Sequence, residues 1–133
     1  MATAYLSRLV RFRAWHRLFV SGWSEARNVE TFGNAARQPP HGHDYQCTVT
    51  VRGTADGTTG TVIDLALLDR ILREEITGRF DGRELEAALP TTGESLCLDI
   101  WRRVEPRLPA GCRLAVVRVA EDPTLYAEYR GED

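Results

Sequence analysis

Between Leu9 and Val20 apolar side chains fall on every second residue: Val10, Phe12, Ala14 and Leu18, with His16 in the same series. Arg11, Arg13 and Arg17 occupy the alternate positions, and this period of two is the signature of a half-buried strand. The pattern returns at Tyr45–Arg52, where Tyr45, Cys47, Val49 and Val51 oppose Gln46, Thr48, Thr50 and Arg52, and again from Arg113 to Glu121. A turn at Asp122-Pro123 leads to a last strand-like stretch, "LYAEY". Between them the period changes. Leu65, Leu68, Leu72 and Ile76 form a helical stripe with Asp64 as N-cap. A second helix is expected over "TTGESLCLDIWRRVEPRL", where Thr91 and Glu94 have capping-box spacing. Strand, strand, helix, helix, strand, strand is a segregated order, which favours an α+β fold with helices on one face of an antiparallel sheet. Ser21–Pro40 shows no periodicity and reads as a long loop of the kind that tends to carry function.

At 133 residues the expectation is a single domain spanning 1–133, large enough to bury a core without disulfides or a structural metal. The formal charge is −2, so no basic field points to nucleic acid. No run of about 18 apolar residues suggests a membrane span, and "MATAYLSRLVRFRAW" lacks the apolar stretch of a leader, so a cytoplasmic protein is expected. The 17 basic residues are all Arg, which leaves no lysine for Schiff-base chemistry. Three cysteines without CxxC spacing argue against a disulfide framework and a cysteine zinc site.

The chain has only three histidines. His41 and His43 are two apart at the mouth of the second strand, so both imidazoles can face one point, and His16 lies on the apolar face of the preceding strand. Three neutral imidazoles can hold Zn²⁺ with one position open, the arrangement of a catalytic site. Read alone, the pair could also be a surface pair beside a core histidine. A carbonic anhydrase would need a much longer chain. A cupin would place a Glu shortly after the pair, where this chain has Gln46 and Cys47.

Five stretches resemble the family of 6-pyruvoyltetrahydropterin synthase and 6-carboxytetrahydropterin synthase. "RFRAWHRL" resembles its first strand, and "NVETFGNAARQPPHGHDY" its long loop into the histidine pair. "TGTVIDLALLDRIL" resembles the segment opening the first helix, "LPTTGESLCLDIWRRV" the start of the second, and "VRVAEDPTLYAEY" the closing strand. The resemblance implies a T-fold: a four-stranded antiparallel sheet with two helices on one face, assembled edge to edge into homo-oligomers, commonly hexamers. It also implies zinc on His16, His41 and His43, and a small-molecule substrate gripped through its ring by Glu121, with Thr92 and Glu94 nearby as substrate-binding residues. The activity implied is that of a zinc-dependent lyase or synthase.

The chain departs from the family pattern at two places. The cysteine expected three residues after Phe32 is Ala35, and the His expected after Asp81 is Gly82. Asp81, Asp44 and Glu30 are then the candidate proton-transfer residues, with Asp44 a possible outer partner of a zinc-bound imidazole. The expectation is a member with altered proton-transfer groups acting on a zinc-chelating oxygenated substrate, in a specialised pathway. The alternatives are a pterin synthase with a relocated base and a non-catalytic zinc- or pterin-binding protein.

Overall fold

A computed structural model describes residues 2–86 and 89–132. Strands β1 (Thr3–His16) and β2 (His41–Thr54) pair antiparallel along their whole length, from Thr3 opposite Thr54 to His16 opposite His41. The alternation after Leu9 places β1 well, but its two ends differ from the expectation. The strand begins at Thr3, where Ala4, Leu6 and Arg8 lack an apolar series, and it stops at His16 because the chain turns away and the Leu18 N–H bonds to the Ala35 carbonyl.

The stretch from Ser21 to Pro40 is not all loop. It contains α1 (Glu25–Phe32), capped by the Ser24 side chain accepting from the Arg27 N–H, and a 3-10 turn at Gly33–Ala36. Asn28 is its only buried residue, bonding the backbone of Val20, so this helix has no apolar stripe to announce it.

Helix α2 (Leu65–Leu72) starts on Asp64, whose carboxylate accepts from the Ala66 N–H. It continues through a π-helical turn (Arg73–Thr77) into Gly78–Phe80. Leu68, Leu72 and Ile76 are buried as expected. Leu65 instead stays 45% exposed in the first turn, and Ile71 joins the core. After the Asp81-Gly82 turn, a two-residue strand β3 (Arg83–Glu84) runs parallel to β1 at Ala14 and Trp15. Helix α3 (Gly93–Val104) is capped by Thr92 rather than Thr91.

Strands β4 (Arg113–Asp122) and β5 (Leu125–Tyr129) complete a sheet of order β3-β1-β2-β4-β5. β1, β2, β4 and β5 form the expected four-stranded antiparallel sheet, and β3 adds a short parallel edge. Phe12, Ala14, Tyr45, Cys47, Val49, Val117 and Val119 point from the sheet into a core closed by Leu68, Leu72, Ile76, Leu96 and Ile100 of the helices. The opposite face of the sheet carries the Arg-rich series. Among the described residues no helix is long and apolar enough to cross a membrane.

Candidate metal centre and its cavity

The pairing of β1 with β2 brings the three histidines together at one end of the sheet. His16 is the last residue of β1 and His41 the first of β2, directly opposite each other, while His43 faces Ala14. Their ligand atoms all lie within 4.8 Å of one another, and the ring centroids are 4.5 to 5.1 Å apart.

Second contacts fix the rings. His16 is 1% exposed, and its Nδ1 lies 2.8 Å from the Thr91 carbonyl oxygen. A carbonyl only accepts, so Nδ1 carries the proton and Nε2 presents a lone pair. The Tyr45 hydroxyl sits 3.4 Å from the same Nδ1. His16 Nε2 and His43 Nε2 are buried without a hydrogen-bond partner among the described residues. Glu121 approaches these two nitrogens at 3.9 and 3.7 Å. Buried imidazole nitrogens beside a carboxylate, with no hydrogen bond to satisfy them, form a place that a cation would complete.

The electrostatics agree with that fit. Burial lowers the His16 pKa to about 4, only partly offset by the Thr91 bond, with His41 and His43 lowering it further. His41 is also lowered, by burial and then by His43. Both imidazoles are therefore neutral at physiological pH, the form that ligates metals. Burial raises the Glu121 carboxyl above its ordinary range, although His43 eases it. The β4–β5 register shifts between Ala120 and Asp122, and an irregularity of this kind re-aims side chains beside functional sites.

The histidines open onto a cavity of about 650 Å³ whose wall includes Ala35, Thr92, Glu94, Glu121, Tyr126 and Glu128. Of the residues singled out from the sequence, His16, His41, His43, Glu121, Thr92 and Glu94 thus share one site. Asp44, Asp81 and Glu30 do not share it. Asp44 has the opposite strand parity and pairs with the Arg13 guanidinium at 2.9 Å on the other face of the sheet. Asp81 accepts from the Arg13 backbone N–H at 2.9 Å. Glu30 is exposed on α1 and lies outside the cavity wall.

Thr91, Tyr126 and Glu128 were not anticipated. The hairpin at Asp122–Leu125 could have revealed the last two, because it folds β5 back beside Glu121. Thr91 acts chiefly through its backbone carbonyl, which no side-chain pattern reports, with its hydroxyl 3.3 Å from the same Nδ1. Cys47 and Cys97 are buried core residues, and burial pushes both thiols up, Cys97 to about 11, so neither offers a thiolate.

Comparison with known proteins gives a match of residues 5–132 to the family described as 6-pyruvoyl tetrahydropterin synthase. The 6-pyruvoyl tetrahydrobiopterin synthase of Homo sapiens is 34% identical over 135 residues, covering 97% of this chain and 92% of that protein. The structure of the Caenorhabditis elegans 6-pyruvoyl tetrahydropterin synthase superposes with a TM-score of 0.89 at 29% identity, covering 99% of this chain and 98% of that one. A Plasmodium vivax 6-pyruvoyl tetrahydropterin synthase, 16% identical with a TM-score of 0.71 and full coverage of both chains, shares the fold.

Proposed function

This chain belongs to the 6-pyruvoyl tetrahydropterin synthase family, and from that premise we propose that it is a zinc-dependent lyase acting on a ring-bearing substrate with adjacent side-chain oxygens. The observation that carries the reading is the pair of buried, unpartnered imidazole nitrogens, His16 Nε2 and His43 Nε2, converging with His41 beside Glu121. Zinc held by the three histidines would act as a Lewis acid toward a substrate carbonyl or hydroxyl.

The chain's own groups supply the rest. The Thr91 carbonyl holds the His16 tautomer, so that Nε2 keeps its lone pair turned inward. Glu121, half-buried in the cavity, is suited to accept two hydrogen bonds from the amidine-like N–H groups of a pterin ring. Removal of a proton from carbon needs an acceptor on the cavity wall. Ala35 has nothing to offer there, whereas Glu94 and Glu128 each bring a carboxylate. Our proposal assigns proton transfer to one of these two rather than to Asp44, Asp81 or Glu30. The free edge of β1, which β3 covers only at Ala14 and Trp15, supports edge-to-edge assembly into a homo-oligomer.

Ala35 also favours a second reading, in which the metal and the ring grip persist while the substrate has changed to another zinc-chelating molecule of a specialised pathway. Incubation of zinc-loaded protein with dihydroneopterin triphosphate, with products read by mass spectrometry, decides between them. Release of triphosphate or of a side-chain aldehyde supports the pterin reaction. Recovery of the compound unchanged supports the changed substrate. Absence of zinc from the native protein would overturn both readings.

A further inference from the structure

Gly42 stands between two of the three histidines, in the part of β2 that has least support. β4 joins β2 only from Gln46 onward, so His41–Tyr45 is paired with β1 alone. A glycine within a strand weakens it further, because it has no side chain to pack and more backbone freedom to lose. Directly across from Gly42 is Trp15, one residue out of step with His16 and therefore on the face of the sheet away from the histidines. Its indole lies over the glycine: a Cβ on Gly42 would fall 2.8 Å from Trp15 Nε1 and 3.0 Å from Cδ1, with Arg13 Nη2 at 3.2 Å. The Arg13 guanidinium covers the same indole at 5.2 Å from its centroid. β1 is itself fixed at this level. Asp81 accepts from the Arg13 N–H at 2.9 Å, and the Arg13 and Trp15 carbonyls accept from the Gly82 and Leu85 N–H groups at 2.7 Å each.

We propose that Trp15 is a positioning residue for the metal centre: its ring, laid on Gly42 from the anchored β1, sets where His41 and His43 stand relative to His16. The inference rests on the zinc reading above. An aromatic side chain across from a strand glycine supplies the packing that the glycine lacks and pins the local register. Gly42 is needed in turn, since any larger residue would push the ring away. Placement matters here because a site binds its metal tightly when the donors already stand close to the arrangement the ion prefers. The Arg13–Asp44 ion pair closes the stack, but with side chains 51% and 82% exposed it contributes little itself.

The test measures zinc affinity by competition with a chelating dye, and the visible spectrum of the cobalt-substituted protein, which is strong for four-coordinate cobalt and weak for six-coordinate. Trp15→Ser should lower zinc affinity about 10–100-fold, as the loss of groups that orient metal ligands does, and should weaken the cobalt bands. Trp15→Phe still covers the glycine and should restore most of both. Gly42→Ala should reproduce the Trp15→Ser loss, and adding it to Trp15→Ser should cost little more, because both changes break one contact. A role in stability alone would move urea midpoints and leave the cobalt spectrum of the folded protein as in the parent. The proposal is overturned by parent-like affinity and spectrum in Trp15→Ser, or by losses from the two changes that simply add. Should Trp15→Ser fail to fold, parent-like affinity and spectrum in Gly42→Ala overturn it instead. A parent protein that binds no zinc overturns the metal reading and this inference together, whereas unchanged affinity in the variants overturns this inference alone.

Discussion

Acidifying the metal-free protein should weaken it through His16. Burial carries the imidazole pKa down from 6.5 to about 4 in the folded chain. Once unfolded, the same group titrates near 6.5, so between those values the unfolded chain binds a proton that the folded chain refuses. Stability from this source is complete above about pH 6.5 and falls as the pH drops toward 4. At pH 5 the loss amounts to about 2 kcal/mol, and across the whole window to about 3 kcal/mol, at about 1.4 kcal/mol per pH unit. That is a large part of the 5–15 kcal/mol or so by which domains of this kind are stable. His41, also lowered, adds in the same direction. Glu121 acts oppositely: its raised carboxyl keeps a proton in the folded chain that the unfolded chain has released, so its contribution declines as the pH rises past 4.5. His16→Gln isolates the histidine, since Gln can still donate to the Thr91 carbonyl. Urea unfolding at pH 7 and pH 5, with chelator present, should show the parent losing about 2 kcal/mol more than the variant on acidification. Equal losses in the two proteins, or a His16 NMR titration centred at 6.5 or above, would refute the reasoning.

Other expectations concern single residues. Parent protein should carry about one zinc per chain by elemental analysis and the His41→Ala, His43→Ala double variant none, because a lone imidazole cannot retain the ion. Glu121→Gln should keep the zinc yet raise KM for a ring-bearing substrate by about tenfold or more, through loss of a charge-assisted grip; an unchanged KM would remove Glu121 from ring binding. Ile76, fully buried between α2 and the sheet, should cost about 2–5 kcal/mol when replaced by Ala, read from denaturant midpoints. Asp44→Ala should leave zinc content and turnover untouched and shift stability by less than about 1 kcal/mol, since its carboxylate is 82% exposed on the far face. Lost turnover would contradict that placement.

What the sequence reveals here depends on whether a side chain's job is periodic. The apolar series through Phe12 and Ala14 and through Cys47, Val49 and Val51 fixes the faces of β1 and β2, and with them the convergence of the three histidines. Parity also speaks for Glu121, in step with Val117 and Val119. Parity speaks equally against Asp44, which is one residue out of step with His43 and therefore on the other face. Being a neighbour in sequence made it a candidate, and strand geometry places it beside Arg13 instead. Helix α1 stayed hidden because a short helix with one buried Asn shows no stripe. β3 stayed hidden because two residues cannot show a period. The Thr91 contact depends on where α3 begins: once Thr92 takes the cap, the preceding carbonyl is free to meet His16.

The register of β1 against β2 has a consequence for how such a chain tolerates length changes. Fourteen-residue strands paired end to end mean that one residue inserted between the core of β2 and His43 would rotate both of its histidines onto the arginine face, even if every ladder hydrogen bond re-formed one step along. Two inserted residues would restore the face but carry the histidines past His16. The connection between the strands is under no such restriction, because α1 contributes only Asn28 to buried contacts and meets the site only through the turn that follows it. Insertions and deletions in descendants of this sequence should therefore collect around residues 21–32 and be almost absent from the paired strands, so that the reading frame of the sheet, more than any one side chain, is what inheritance has to protect.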